Sequence, residues 1–541
     1  MRHRKYSLAA GLTAMAGFFL WPAMADAGLP REGNKDISFA RKVDEFVYNK
    51  LKEEQLVPAK MTTDSEFLRR LSLDLTGTIP PAEEVVAFLN NKDRKKRAKK
   101  IDEYLNHPMF AENLAMLWAN LLITRDGGDA DRSLMEKYLK DSFLYNKPYD
   151  EMARELLTAT GLSDENPAVN YLVRRSGSAP ELAGHSARVF MGLQIQCAQC
   201  HNHPYERWTQ DDFWGYAAYF SGISKREMGM RGDKFRPFLL RDAGGGKVRF
   251  QVRGKPGSGV SAQEIFKEIN QPMFLQMKLP AKRTGRWVDQ MAKTMTHPRN
   301  TLFAKSIVNR TWSHLLGRGL VMPIDDLGEN NPPTHPELLE SLADDFMDKG
   351  YDLKYLYRMI CNTRTYQRSS APRNRKYEGS DFYAYANMKP MTPEQLFSAM
   401  VQATGLDGKQ RYSHPQRIRD WKMRTIRPFV FNFGNDEEEV IEDFQGTIPQ
   451  ALLMMNGQIV SEGIKVSKGG NLDRLFKIRK SDDDRVELMF LAALSRRPAS
   501  SEKREILSYI KRKGTAAQKR KEGYEDAFWA MLNATEFLFN H

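Results

Sequence analysis

Thr63-Asp-Ser-Glu-Phe67-Leu-Arg-Arg-Leu71-Ser-Leu-Asp-Leu75-Thr-Gly77-Thr-Ile-Pro80-Pro-Ala-Glu83-Glu sets the fold class. Thr63 or Asp64 supplies a side-chain oxygen for the free amides of a helix start. Phe67, Leu68, Leu71 and Leu75 recur at helical spacing. Gly77 breaks the run. Pro80-Pro81 followed by Glu83-Glu84 opens a second helix ending near Leu89, because proline tolerates the first turn and carboxylates favour it. The same grammar repeats on both sides. Val43, Phe46, Val47 and Leu51 mark a helix over 39–52, and further helices are expected at 98–105, 111–123, 134–145 and 149–160.

Strand-like alternation is scarce before residue 225. The style then changes: from Gly229 to Gly259 glycine accumulates, with Gly244-Gly-Gly246 before Lys247-Val-Arg-Phe-Gln-Val-Arg253, an apolar/basic alternation that reads as a strand beside a turn. Helical patterns resume at 301–316, 336–349, 353–363, 393–405, 449–463 and 485–494. The expected fold is mainly α, with helical domains at 26–225 and 286–541 joined by a small β-containing insertion at 226–285. Phe67-Leu-Arg-Arg-Leu-Ser72 before Pro80 has an echo in Phe490-Leu-Ala-Ala-Leu-Ser495 before Pro498. Two helical hairpins explain that likeness as well as a duplication does.

The 541 residues are 41% hydrophobic and 11% aromatic, a composition that folds rather than one that stays disordered. Met1-Arg-His-Arg-Lys5 is a positive leader, Leu8 to Trp21 an apolar stretch, and Ala23-Met-Ala25 a small-x-small cleavage site. The apolar run falls short of the roughly 20 residues that span a bilayer, so removal near Ala25 is expected rather than anchoring. The expected protein is exported, to the periplasm or cell surface, with no transmembrane segment in the mature chain. The formal charge is +14; subtracting the three basic residues Arg2, Arg4 and Lys5 leaves +11. Outside the cytoplasm that excess points to an anionic glycan or a membrane surface rather than to nucleic acid.

There are three cysteines, too few for a disulfide scaffold. Cys361 stands alone. The other two lie in Cys197-Ala-Gln-Cys200-His201-Asn-His203-Pro204, between a helix that Ser178 and Pro180 open and one that Thr209 caps, with Asp212 in capping-box position. C-x-x-C-H is the attachment signature of c-type haem: two thiols reach two vinyl groups and the adjacent His ligates iron. Attachment takes place after export, in keeping with the leader. His203, Met228 and Met230 are the nearest candidates for a distal ligand. Two other readings stay open, a Cys197–Cys200 disulfide and a zinc or iron site formed by Cys197, Cys200, His201 and His203. A helix precedes the motif where a thioredoxin-like redox pair would follow a strand.

A second polar group lies in a Pro- and Gly-rich loop: Asp325, Asp326, Glu329, Asn330 and His335. Oxygen donors with one imidazole suit a divalent cation or a general base. The plainer account has Thr334 capping the following helix and the acids paired with Arg310, Arg318 or Arg364. Glu437-Glu-Glu439 reads as a solvated acidic turn. No phosphate-binding glycine loop and no G-x-S-x-G elbow is present.

Several segments together resemble the bacterial paired-domain family of planctomycete-cytochrome-like and planctomycete-specific domains. The first domain is similar over Phe67–Pro80, Gln196–Pro204 and Trp208-Thr-Gln-Asp-Asp212. The second is similar over His297-Pro-Arg-Asn300, Val308-Asn-Arg-Thr-Trp312, Leu316-Gly-Arg-Gly-Leu320, Asn331-Pro-Pro-Thr-His-Pro-Glu337, Thr363-Arg-Thr-Tyr-Gln367 and Thr447-Ile-Pro-Gln-Ala-Leu452. The resemblance implies an exported protein with a cytochrome-like first half and no agreed activity. The expected function is redox chemistry or electron transfer through a c-type haem held by Cys197, Cys200 and His201, with an unidentified redox partner. The alternative is a non-haem exported protein that processes glycans or contacts the cell surface, its Cys/His loop held by a metal or a disulfide.

Overall fold

The structure, a computed structural model, describes residues 35–541 except 176, 230–235, 246–247, 253–264, 270, 277–284, 373–380, 467–468, 479–480 and all but a few residues between 407 and 456. The leader at 1–25, Met230, the acidic turn at 437–439 and the segment 447–452 lie outside the described residues.

The fold is mainly α, as expected. The first half comprises α1 (Lys35–Glu53), α2 (Asp64–Thr76), α3 (Ala82–Asn90), α4 (Lys96–Leu105), α5 (Pro108–Ile123), α6 (Arg132–Leu144), α7 (Tyr149–Thr158), α8 (Val169–Arg174), α9 (Ala179–Met191) and α10 (Gln210–Ala217). The second comprises α11 (Trp287–Met295), α12 (Thr301–Leu316), α13 (Pro336–Asp348), α14 (Leu353–Cys361), α15 (Pro393–Thr404), α16 (Gln458–Gly463), α17 (Asn471–Ile478), α18 (Asp482–Leu494), α19 (Ser500–Lys513), α20 (Ala517–Leu532) and α21 (Thr535–Leu538).

Helix α2 is the centre of this arrangement. Thr63 caps it, accepting from the Glu66 amide, and Gly77 ends it at φ +70°, where a Cβ would sit 2.4 Å from Asn113 Oδ1. Every residue from Phe67 to Thr76 is buried. Phe67, Leu68, Leu71 and Leu75 join a large cluster with side chains of α1, α5, α7, α9, α12, α13 and α14. Leu73 points the other way and joins Ile79 and a second cluster built by α15 and α18–α21. Each such side chain contributes about 1.5–3 kcal/mol by leaving water. A helix enclosed on all sides must bond its polar groups internally. Arg69 donates to the carbonyls of Ala493 (3.0 Å) and Phe537 (2.9 Å), and Arg70 to those of Tyr366 (2.6 Å) and Arg368 (2.7 Å).

The β-structure is small. β1 (Gly161–Leu162), β2 (Ile223–Glu227) and β3 (Phe238–Asp242) form one antiparallel sheet in the order β1-β3-β2, so the insertion recruits a strand from the helical region before it. The alternation at 247–253 is a strand, β4 (Val248–Val252), paired with β5 (Ile265–Ile269). β6 (Lys389–Pro390) pairs with β7 (Phe539–Asn540). Two expected caps differ. Ser178 occupies the N-cap of α9 but makes no capping bond, and α13 starts from His335 while the Thr334 hydroxyl turns to the Leu320 carbonyl. Among the described residues no helix is long and apolar enough to cross a membrane.

The large cluster draws side chains from both flanks of residues 226–285. Arg154 bonds Thr296 (3.0 Å), and Arg286 donates to the Thr158 carbonyl (3.0 Å). A chain cut once at a protease site inserted between 253 and 264 should therefore elute from a sizing column as a particle of uncut size. Separation of the fragments without denaturant would show that these contacts do not hold the two flanks together.

Candidate functional site

The Cys/His loop is pinned from behind and open in front. Residues 196–199 form a 3₁₀ turn and Cys200 follows it with helical dihedrals, so the two cysteines stand three residues apart on one tight turn. Both are exposed and unpaired, while Ala198 between them is buried. Helix α10 supplies the anchors. The Gln199 carbonyl accepts from Gln210 Nε2 (3.1 Å) and Trp214 Nε1 (3.0 Å), and Asn202 Oδ1 accepts from the Gln210 amide (3.0 Å). The Thr209–Asp212 capping box expected from the sequence is formed. A Cβ on Gly184 of α9 would meet Gln196 Cγ at 2.6 Å, so glycine lets the turn close onto that helix.

The two histidines are prepared differently. His201 is exposed, and its Nδ1 lies 2.7 Å from the Asn202 carbonyl, an acceptor only, so Nδ1 carries the proton and Nε2 keeps its lone pair. Metal-ligating histidines commonly have this arrangement. His203 Nδ1 instead accepts from the amides of Glu206 (2.9 Å) and Tyr205 (3.3 Å), which puts the proton of the neutral ring on Nε2. His203 is thus a turn-forming residue with no outward lone pair. Met228 continues from β2, its amide bonded to the Pro237 carbonyl (2.9 Å). Cys361 is buried, and burial, with the nearby Asp74 carboxylate, pushes its thiol pKa well up.

The polar loop of the second half docks against the Cys/His loop. The Leu327 amide donates to the Gly192 carbonyl (2.7 Å), the Asn330 amide to Glu206 Oε1 (3.3 Å), and Glu329 pairs with Arg207 (2.6 Å). A Cβ on Gly328 would fall 2.4 Å from Glu206 Oε1, so the approach needs glycine. Asp326 sits at this seam, its carboxyl pKa raised by burial first and by the Glu206 charge second, against an opposing effect of His203. Asp325 faces elsewhere, pairing with Arg310 (3.3 Å) and Arg188 (3.8 Å). Arg318 pairs with Asp381, and the Arg364 amide bonds Asp44.

His335 is not part of that group. It is buried among Phe382, Tyr383 and Thr334, so the expected constellation divides into the Asp326/Glu329 seam, the Asp325 ion pair and an interior histidine. Among the described residues no group of three or more His, Cys, Asp or Glu is gathered to hold a metal ion. That holds for Cys197, Cys200, His201 and His203, and for Asp325, Asp326, Glu329 and His335. Haem attachment asks less of the chain: two accessible thiols on one turn and one imidazole with a free Nε2. Cys197, Cys200 and His201 fit those demands. Glu206 and Arg207 carry no signal in the sequence; Asn330 was legible only as a member of the polar loop. The glycine at 328, inside a polar loop, was the one local hint of a close approach.

Neither a curated protein nor a solved structure matches the chain. Two family models do. Residues 42–225 match PSCyt2, described as a protein of unknown function (DUF1549), and residues 289–510 match PSD1, described likewise (DUF1553). The Cys/His loop falls in the first match and the loop docked on it in the second, so the chain belongs to the paired PSCyt2–PSD1 architecture, two families of unknown function in one polypeptide.

Proposed function

We propose that the protein carries a covalently bound c-type haem at Cys197 and Cys200, with His201 as an axial ligand, and serves in electron transfer outside the cytoplasm. The observation that carries the reading is the pairing of two exposed, unbonded thiols on one turn with an imidazole whose Nδ1–H is already engaged. Cys197 and Cys200 would hold the group through two thioether bonds, and His201 would ligate its iron through Nε2. The Asn202 carbonyl fixes the imidazole plane and raises the basicity of Nε2. When bound, the haem supplies a one-electron couple; the chain holds and orients it. Gln210 and Trp214 keep the turn from opening, so the three attachment atoms stay in register. A redox partner would meet this open face.

A second reading is favoured by Asp326. A carboxyl whose pKa is raised by burial and by Glu206, with His203 near it, is suited to proton transfer, as a non-haem protein acting on an anionic glycan would require.

Expressed with its leader beside a cytochrome c maturation system, the protein should retain haem through denaturing electrophoresis. Cys197→Ser and Cys200→Ser should each lose most of that signal. Cys361→Ser, at a buried site outside the motif, should keep it. His201→Ala should keep the covalent bonds and alter the absorption spectrum. A colourless protein from a host that matures a control cytochrome sinks the haem reading and leaves the Asp326 reading standing.

A further inference from the structure

A guanidinium carries five N–H donors and accepts nothing, so a half-buried arginine normally meets several acceptors. Most in this protein do: Arg69 meets three backbone carbonyls, and Arg97 meets Asp64, Gln367 and the Thr62 carbonyl. Arg188 of α9 and Arg310 of α12 do not. Their side chains are only 21% and 18% exposed. Arg310 makes one hydrogen bond, Nη2 to Asp325 Oδ1 at 3.3 Å, and Arg188 only approaches Asp325 Oδ2 at 3.8 Å. The Nε of each is shielded from solvent with no hydrogen-bond partner among the described residues; Arg69 Nε is too, but the Nη atoms of Arg69 reach three carbonyls, whereas these two arginines have only Asp325. Two cations therefore share one carboxylate, and most of their donors meet no protein acceptor among the described residues.

Among the described residues Asp325 is the carboxylate recorded as paired with these two arginines. The Tyr149 hydroxyl, fully buried and in the field of Arg310, also has no partner among the described residues. His185, one turn before Arg188, accepts from the Tyr171 hydroxyl at Nδ1 (3.2 Å) and bonds the Leu121 carbonyl through Nε2 (3.2 Å). Burial and the neighbouring arginines hold its pKa well below the usual value, so it stays neutral. Unmet donors and surplus charge at a half-buried site are costly unless an anion completes them.

We propose that Arg188 and Arg310, with the Tyr149 hydroxyl behind them, form a binding site for an oxyanionic group: the sulfate, phosphate or carboxylate of a ligand. A forked guanidinium matches paired oxygens of these groups, and two forks converging through a common carboxylate define a pocket for one such group. Asp325 is a positioning residue that orients both arginines. The Leu327–Gly192 hydrogen bond ties this loop to the end of α9 that leads into the Cys/His loop, so an anion here lies next to that loop's base. The inference is independent of what Cys197 and Cys200 carry.

The test uses the full chain produced without haem maturation. Sulfate, phosphate and acetate are titrated at constant ionic strength against chloride, reading the unfolding temperature and, by calorimetry, the affinity. At least one oxyanion should give a saturable rise of about 1–3 °C that chloride does not. The ranking of the three separates an ester sulfate, a phosphate and a uronate-type carboxylate as the natural source. Arg188→Gln and Arg310→Gln should abolish the rise; Arg188→Lys and Arg310→Lys, which keep the charge, should weaken binding at least tenfold. Asp325→Asn should tighten it severalfold by removing a competing carboxylate, which a purely structural role would not produce. Arg318→Gln, at an exposed pair, should respond like the unaltered protein. Equal responses to chloride and oxyanions, or an unchanged oxyanion response in the Arg188 and Arg310 variants, overturns the site.

Discussion

Replacing Lys389 with Met should lower stability by about 3–5 kcal/mol, because it strips the counter-charge from a carboxylate that water cannot reach. Asp74, in the last turn of α2, has a side chain only 1% exposed, and Lys389 Nζ lies 2.5 Å from its Oδ1. Asp74 and Lys389 are both bonded further. Tyr366 OH donates to Asp74 Oδ2 (2.8 Å) and Asn540 Nδ2 to Oδ1 (2.7 Å), while the ammonium spends its other two protons on the carbonyls of His314 (2.7 Å) and Leu315 (3.0 Å). Those carbonyls belong to the last turn of α12, where no amide of the helix can reach them. The lysine thus neutralises α2 and caps α12 together. Burial pulls its pKa down and Asp74 pulls it up, and burial is the larger effect. Asp74→Asn should be comparably damaging, leaving an unpaired buried ammonium. Joining the two changes should recover much of the loss, since neither orphan charge then remains. Urea unfolding of the four proteins measures this directly; a Lys389→Met variant within about 1 kcal/mol of the original would refute the account.

That pair marks where the sequence stops being legible. The opening stretch announced α2 through Thr63, its apolar spacing and Gly77, all features acting within one or two turns. The capping box at Thr209 and the strand at 248–252 were readable for the same reason. Nothing local says that Asp74 will meet a lysine 315 residues away, or that Arg69 will reach Ala493. Ala493 belongs to the segment that echoes α2 in sequence, and the two likenesses pack together around that arginine. Side-chain roles at the site divide in the same way. Cys197, Cys200 and His201 stand out because their spacing is itself the signal. Which imidazole presents a lone pair depended on Asn202 and Glu206 backbone groups, and composition does not encode those. Asp325, Asp326, Glu329 and His335 looked like one constellation because they are neighbours in sequence; the chain turns sharply enough to send them to three environments.

His335 should make folding sensitive to mild acid. Its ring is buried against Phe382 (6.1 Å between centroids) and Tyr383 (5.5 Å). The Thr334 hydroxyl gives its proton to the Leu320 carbonyl, so His335 Nδ1 must donate to that hydroxyl (3.0 Å), leaving Nε2 a buried lone pair with no partner among the described residues. Burial first, and the Lys50 ammonium second, bring its pKa down to about 4. The unfolded chain, with a histidine near pKa 6.5, takes up a proton that the folded chain refuses. Stability from this residue is therefore whole above pH 6.5, falls as pH drops through the window from 6.5 to about 4, and levels off below it. The loss at pH 4.5 should be about 2–3 kcal/mol. His185, His314 and His541 have lowered pKa values too and push the same way, and the ion-paired carboxylates Glu66 and Glu394 add their own loss at lower pH. The discriminating quantity is the difference between proteins. His335→Gln keeps an amide to donate to Thr334 and cannot take up a proton. Its unfolding free energy, measured in urea at pH 7.0, 5.5 and 4.5, should fall by about 2–3 kcal/mol less than that of the unaltered chain over the same range. Parallel pH profiles would mean that His335 is protonated in the folded state and that its buried face is wet.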